Sequence, residues 1–332
     1  MKVSDMGEFA LIDLIKSIIE QSQKRELSSH QVVTGIGDDA AIWHNEEGLA
    51  LATTDTLVEG VHFKPGMGTW EELGGKALAV SLSDIAAMGG IPRYALVSLT
   101  IPPSTEVGTI TALYRGMIEA ANRYEVALVG GNTTRATELS ITTTVLGSAT
   151  EKGVLRRSAA RPGHLIAVTG YLGLAAAGLR MLTLPPSLDK ESEKLSQAAY
   201  LRPQPRLVEG KTLVEHGVKA AIDISDGLLS DLGHICQASG VGARIEVDKL
   251  PIHPVLKRAF PGEALELALS GGEDYELLFT AEEDIMDRVR EEIPGLISII
   301  GRITEGPGEI SMVDDKGQVL SLARKGWEHF KG

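Results

Sequence analysis

Aspartates recur in this chain where apolar runs stop, and a carboxylate there can hold a hard cation or simply close a turn. Thr53-Thr54-Asp55 ends the run that begins near Gly48, and a hydroxyl and a carboxylate at a strand end can share one ion. Asp223-Ile224-Ser225-Asp226-Gly227 ends a second run, Ala220-Ala221-Ile222, and opens a helix. Strand alternation sets Asp223 and Ser225 on one face; Ser225 or Asp226 can cap the helix and leave backbone N–H groups for an anion. Capping accounts for Asp226 but not for Asp223. Asp84 stands among Leu78, Val80, Leu82, Ile85 and Ala86 on a helix. An ionised carboxylate there is costly unless it is paired or metal-bound; the alternative is a solvent-facing stripe through Ser81 and Asp84.

Gly35-Ile36-Gly37-Asp38-Asp39-Ala40 imitates a dinucleotide-binding glycine pattern, but no helical periodicity follows and two aspartates would repel a bare pyrophosphate. Asp38 and Asp39 are therefore turn residues or metal ligands. Gly210-Lys211-Thr212 imitates the end of a Walker A loop without its earlier glycine, so it is a chance match. Gly130-Gly131-Asn132 follows the buried run Val126 to Val129, as a close approach to phosphate or as a tight turn. Ser270-Gly271-Gly272-Glu273-Asp274-Tyr275-Glu276 is a second glycine pair with carboxylates after it. Arg156 and Arg157 offer a fork for phosphate or a solvated charge pair, and His62 is a ligand contact or a structural histidine.

Hard oxygen donors of this kind suit Mg²⁺, which keeps several waters and bridges carboxylates to phosphates. Cys/His zinc spacing is absent. A formal net charge of −13 argues against a nucleic-acid partner but not against a polyphosphate held through cations.

The elements that must carry these residues alternate between helical and strand periods. Helical stripes run over Gly7 to Lys24, Thr69 to Met88, Thr105 to Tyr124, Leu172 to Leu182 and Asp226 to Ala238, with another helix after Pro205. Strands are expected at Gln31 to Ile36, Gly48 to Thr54, Tyr94 to Ile101, Val126 to Val129, Leu139 to Ser148, His164 to Thr169, Lys219 to Ile224, Tyr275 to Thr280 and Leu296 to Ile303, with a Pro-rich linker at Pro185-Pro186. With 332 residues, two domains are expected, 1–150 and 151–332, with α and β structure in both. No run approaches the roughly 18 apolar residues of a membrane span. The single Cys236 and a start without a basic, apolar leader point to the cytoplasm.

Gly7-Glu8-Phe9, GIGDDAA, TTDTLVEGVHF, KALAVSLSDIAAMGG, GGNTTR, RRSAARPG, DISDGLLSDLGHI, SGGEDYELLF and KGWEHF occur in the order of the thiamine-monophosphate kinase family, which the chain resembles from Gly7 to Phe330. The wider superfamily, with aminoimidazole ribonucleotide synthetase, selenophosphate synthetase and a hydrogenase maturation protein, is ATP-dependent. The resemblance implies an α/β (α+β) fold. An N-terminal mixed sheet with helices pairs across a homodimer, a C-terminal α/β sandwich follows, and the site lies in the cleft between them. It implies ATP and thiamine monophosphate as substrates, with thiamine diphosphate and ADP as products. By the same resemblance Asp39, Thr53, Thr54, Asp55, Asp84, Asn132, Asp223 and Asp226 are the magnesium ligands. Tyr114, Gly131, Asn132, Arg157 and Ser225 contact ATP, and His62, Glu273 or Asp274, and Trp327 lie near thiamine phosphate, Trp327 able to stack on a ring. Many members carry Asp where this chain has Asn132, which removes one negative charge from that subsite. The rivals are a purine-precursor or selenophosphate enzyme of the same superfamily, and a non-catalytic nucleotide-binding dimer. The selenide rival lacks its reactive cysteine near the N-terminus.

Overall fold

The computed structural model describes residues 2, 8–22, 32–34, 42–43, 49–150, 152–183, 189–306 and 308–320. Asp38 and Asp39, the Pro185-Pro186 linker and Trp327 lie outside the described residues. The chain divides into two compact units, Met1–Ile85 with Ile91–Ala149, and Ala86–Gly90 with Thr150–Gly332. No helix among the described residues is long and apolar enough to cross a membrane.

In the first unit, α1 (Glu8–Ser22), a small β1 (Val32–Thr34) and β2 (Ile42–Trp43) ribbon, and β3 (Ala50–Val58) are followed by α2 (Trp70–Ala87), whose last two residues belong to the second unit. Then come β4 (Ile91–Ile101), α3 (Val107–Arg123), β5 (Ala127–Arg135) and β6 (Ser140–Ser148). The sheet order is β3-β6-β4-β5, antiparallel except for the parallel β4–β5 pair. α2 starts with a reciprocal cap, in which the Glu72 N–H donates to Thr69 Oγ1 at 3.1 Å and the Thr69 N–H to Glu72 Oε2 at 2.8 Å. α2 and α3 meet backbone to backbone. A Cβ on Gly74 would lie 1.8 Å from the Leu113 carbonyl oxygen, and one on Gly116 would lie 1.7 Å from that of Glu71. Alanine is ordinarily the better helix former by about 1 kcal/mol. Here the sign reverses: Gly74→Ala and Gly116→Ala are each expected to cost about 3 kcal/mol, since neither backbone can yield, and thermal melting reads the loss.

The second unit holds β7 (Leu165–Thr169), α4 (Leu174–Thr183), α5 (Lys190–Leu201), α6 (Leu207–Glu215), β8 (Ala220–Asp223), α7 (Leu228–Ser239), β9 (Gly242–Glu246), α8 (Pro254–Ala259), α9 (Ala264–Ser270), β10 (Leu277–Ala281), α10 (Glu283–Glu292), β11 (Ile297–Thr304), β12 (Ile310–Val313) and β13 (Val319–Leu320). Its seven strands are ordered β13-β12-β9-β11-β7-β10-β8. Alternation sends successive side chains to opposite faces. Ile166, Val168, Ile222 and Leu278 pack with Leu228, Leu232 and Ile235 of α7. Ala167, Ala221, Leu277 and Phe279 pack with Leu213 of α6 and with Met286 and Val289 of α10. The sheet is thus covered by helices on both faces. This is the mixed α/β architecture in two parts that the sequence leads one to expect.

Several boundaries differ in ways that matter for the site. β3 continues past Asp55 to Val58, β5 continues through the glycine pair to Arg135, and β10 begins at Leu277 rather than at Tyr275. Lys211 and Thr212 lie inside α6, as a chance Walker match requires.

Candidate active site

β3 sorts its own residues by alternation. Thr53, Asp55 and Leu57 face inward, while Thr54 and Thr56 face out, where their hydroxyls lie 3.0 Å from that of Thr144 and 2.8 Å from that of Thr142. The Thr54 side chain is therefore separated from its two neighbours. Inside, Thr53 Oγ1 donates to Asp84 Oδ2, and Ser81 Oγ lies 2.9 Å from Asp55 Oδ2. Ser81 is fully buried, which overturns the solvent-facing stripe as the alternative for this part of α2. Burial and the charge of Asp84 push the Asp55 carboxyl up to about 6, against the Ser81 hydrogen bond that lowers it. Two carboxylates one strand and one helix apart, each with a hydroxyl beside it, form a donor set that a hard divalent cation relieves.

Gly131 and Asn132 are not in a turn after β5 but within it, paired to Val97 and Ser98 of β4. A Cβ at Gly131 would lie 1.8 Å from the Val97 carbonyl oxygen, so the second glycine is demanded by strand packing. Asn132 is exposed at the opposite sheet edge from Asp55. With strands about 4.8 Å apart, three spacings separate them by roughly 14 Å. Within this unit Asn132 does not join the Asp55–Asp84 group. Tyr114 is buried on α3, where burial pushes its hydroxyl above its ordinary range. His62 closes the turn after β3, its Nδ1 accepting the Val58 N–H at 3.0 Å.

The second unit gathers its acidic residues where β8 ends and β10 begins. Asp223 is paired to Leu277 across the sheet. The expected cap does not form. Gly227, with φ 115°, holds the N-cap position of α7, and neither Ser225 nor Asp226 caps it. The N–H groups of Ser225, Asp226 and Gly227 instead all donate to Asp231 Oδ2, each at 3.1 Å, so they are not left open for an anion. Asp231 was missed by sequence reasoning, although an aspartate among Leu228, Leu229 and Leu232 carries the same signal as Asp84. Burial, reinforced by Asp223 and Asp226, pushes its carboxyl up to about 8 against its backbone hydrogen bonds. Asp226, Asp231 and His234 each bring a ligand atom to within 4.8 Å of the others, a second set able to hold a cation.

The 271–276 segment is bonded directly onto this loop. The Glu273 N–H donates to the Ser225 carbonyl at 2.7 Å, the Tyr275 N–H to Ile224 O at 2.8 Å, and the Ile224 N–H to Glu276 O at 2.8 Å. Asp274 turns to α4, where Oδ2 accepts the Gly173 N–H at 2.6 Å and Oδ1 the Ala175 N–H at 3.2 Å. Burial pushes its carboxyl up to about 8 against those bonds, with Glu276 and Glu273 adding repulsion. Arg156 and Arg157 are exposed, at and beside a short 3₁₀ turn. Thus the structure joins Thr53, Asp55 and Asp84 in one unit, and Asp223, Ser225, Asp226, Glu273 and Asp274 in the other.

Two α/β units with carboxylates gathered at strand ends define the class. Models described as AIR synthase related protein, N-terminal domain, and AIR synthase related protein, C-terminal domain, match residues 37–149 and 161–314. The chain is 41% identical over 331 residues to the thiamine-monophosphate kinase of Salmonella typhimurium, covering 98% of each chain. The crystal structure of thiamine-monophosphate kinase from Stenotrophomonas maltophilia K279a superposes with a TM-score of 0.80 at 37% identity, over 95% of this chain and 98% of that one. The complex of AaThiL with AMPPCP and TMP superposes with a TM-score of 0.77 at 35% identity, over 99% of each. The chain belongs to the thiamine-monophosphate kinase family.

Proposed function

We propose that the chain transfers the γ-phosphoryl group of ATP to the phosphate of thiamine monophosphate, yielding thiamine diphosphate and ADP. The observation that carries this reading is the AaThiL complex, aligned over 99% of this chain, which holds TMP together with AMPPCP, a triphosphate analogue with carbon at the β–γ bridge. A phosphate oxygen of the acceptor is already ionised, so it can form the new bond to Pγ without a protein base while the bond to the β–γ bridging oxygen breaks. What remains for the protein is positioning and charge control.

The donor sets fit magnesium. Thr53, Asp55 and Asp84 would hold it in the first unit and Asp223 and Asp226 in the second, with Asp39 completing the set. When bound, the metal neutralises charge between aspartates and phosphates. Gly131, Asn132, Arg157 and Ser225 serve ATP, and Tyr114 is the least accessible of that group. His62, Glu273 and Trp327 serve thiamine monophosphate. Asp274 belongs with Glu273 as its support, because both its oxygens are engaged at the start of α4. Residues 1–150 form the ATP, magnesium and dimerisation domain and residues 151–332 complete the site, in a cytoplasmic homodimer. Thr54 and Asn132, expected among the magnesium ligands, both face away from the Asp55–Asp84 group, and of the two Asn132 keeps its place beside ATP. Accordingly, Asn132→Asp is expected to tighten the magnesium dependence of ATP binding; an unchanged magnesium titration counts against its role.

Coupled ADP release, measured with and without thiamine monophosphate and backed by mass detection of thiamine diphosphate, tests the proposal. Turnover that requires thiamine monophosphate supports it. ATP binding without acceptor-dependent ADP release overturns it.

A further inference from the structure

The segment carrying Glu273 is held in a conformation that its own residues resist. Glu273 and Tyr275 have φ of 68° and 51°, in the left-handed region that side chains disfavour, and Asp274 lies between them. Such strain persists only where the surroundings over-determine it. One end is fixed by Asp274 on α4 and by the backbone bonds to Ile224 and Ser225. The other end is fixed by Glu276, the last carboxylate of that segment, which is buried.

Glu276 receives a two-pronged grip from Arg206, Nε to Oε2 at 2.6 Å and Nη2 to Oε1 at 2.5 Å. Thr169 Oγ1 donates to Oε2 at 2.5 Å and itself accepts the Leu277 N–H at 2.8 Å. Space for the carboxylate exists because residue 170 is glycine: a Cβ there would lie 2.1 Å from Glu276 Oε1. Arg206 is itself stiffly mounted. It is the N-cap residue of α6, follows Pro203 and Pro205, and has a second ion pair with Glu209 at 3.6 Å.

We propose that the Arg206–Glu276 pair is a positioning lock: it fixes the end of the strained 271–276 segment and thereby sets where Glu273 meets the acceptor substrate. The inference rests on the assignment of Glu273 to thiamine monophosphate made above. A buried ion pair contributes little to stability on average, so its value here lies in geometry. The lock touches neither substrate nor metal; it acts through the backbone of residues 273–275.

The test compares Arg206→Met, Arg206→Lys, Glu276→Gln and Gly170→Ala in the full chain. Gly170→Ala displaces the carboxylate without changing any charge. Kinetics read KM for thiamine monophosphate and for ATP separately, and hydrogen exchange reads the amides of Ile224, Glu273 and Tyr275. Arg206→Met and Gly170→Ala are expected to raise the thiamine monophosphate KM about tenfold while the ATP KM moves less than about threefold. Their three amides should exchange at least about tenfold faster, with Leu278 to Ala281 still protected. Arg206→Lys, which keeps the charge but not the fork, should fall between. Lower melting temperatures with an unchanged KM ratio and unchanged exchange at those amides overturn the lock. Should Arg206→Met not fold, Gly170→Ala and Glu276→Gln decide. Should the wild-type chain not turn over thiamine monophosphate at all, the proposed function fails, and the exchange data alone decide whether the lock exists.

Discussion

Alanine at Asp84 is expected to reduce thiamine diphosphate formation by about 10³-fold or more, with the fold intact. Asp84 takes the Thr53 hydroxyl and faces Asp55, so its loss removes one of the two carboxylates that the first unit offers to a cation. The same deletion should relieve the protein when no cation is present. The Asp55 carboxyl is raised to about 6 by burial first and by Asp84 second. Because that value lies above the unfolded one, its stabilising contribution is full below the ordinary carboxylate range and is lost as pH rises through about 6. Without Asp84 part of that loss disappears, so the fall in melting temperature between about pH 4 and about pH 6 should be shallower than in the wild type. Asp84→Asn separates the two roles, since its amide oxygen keeps the Thr53 bond while the charge is gone. Both variants should be inactive, and both should lose the magnesium-induced rise in melting temperature. Near-normal turnover in Asp84→Ala and Asp55→Ala would refute a cation role for this pair.

The sequence carried much of this site because burial and charge conflict visibly in one dimension. Asp84 could be singled out because apolar neighbours make an ionised carboxylate on that helix costly unless it is paired or metal-bound, and Asp223 because capping leaves it unexplained. Helix and strand periods located most elements for the same reason. What sequence patterns could not carry was two-dimensional. Whether Thr54 stands beside Thr53 depends on strand length: a strand ending at Thr54 leaves its hydroxyl free to turn, whereas β3 runs to Val58 and alternation sends it outward. The glycine pair Gly130-Gly131 has one signature for a turn and for a strand whose neighbour comes too close, and only the approach of Val97 decides. Arg206 and Glu276 are 70 residues apart, and nothing in either neighbourhood names the other. Capping failed for a similar reason. Ser225 and Asp226 have the right chemistry to cap α7, but Asp231, one turn into the helix, reaches back to the same N–H groups first.

That reach makes Asp231 the residue whose replacements should diverge most. Three backbone donors converge on a single oxygen of a side chain that is only 2% exposed. Asp231→Ala takes the acceptor from all three N–H groups, that of Gly227 being buried, and opens a small cavity, at a cost of about 3 kcal/mol. The loop that holds Ser225 and Asp226 then loses its shape, and with it the support for Glu273, which bonds to Ser225. Asp231→Asn has the opposite expectation. Its amide oxygen can still take the three donors, while the repulsion from Asp223 and Asp226 that helps raise the carboxyl to about 8 is gone. The sign follows from linkage: a carboxyl raised in the folded state stabilises below its unfolded value and loses that contribution as pH climbs through about 8. At pH 8.5 the cation-free asparagine variant should therefore melt at or above the wild type, and at pH 5 the two should converge. Magnesium should raise the wild-type melting temperature more at pH 8.5 than at pH 5, because Asp55, raised to about 6 by burial, loses its proton between the two. An asparagine variant as unstable as the alanine variant at both pH values would mean that the charge of Asp231, and not its acceptor geometry, holds the loop.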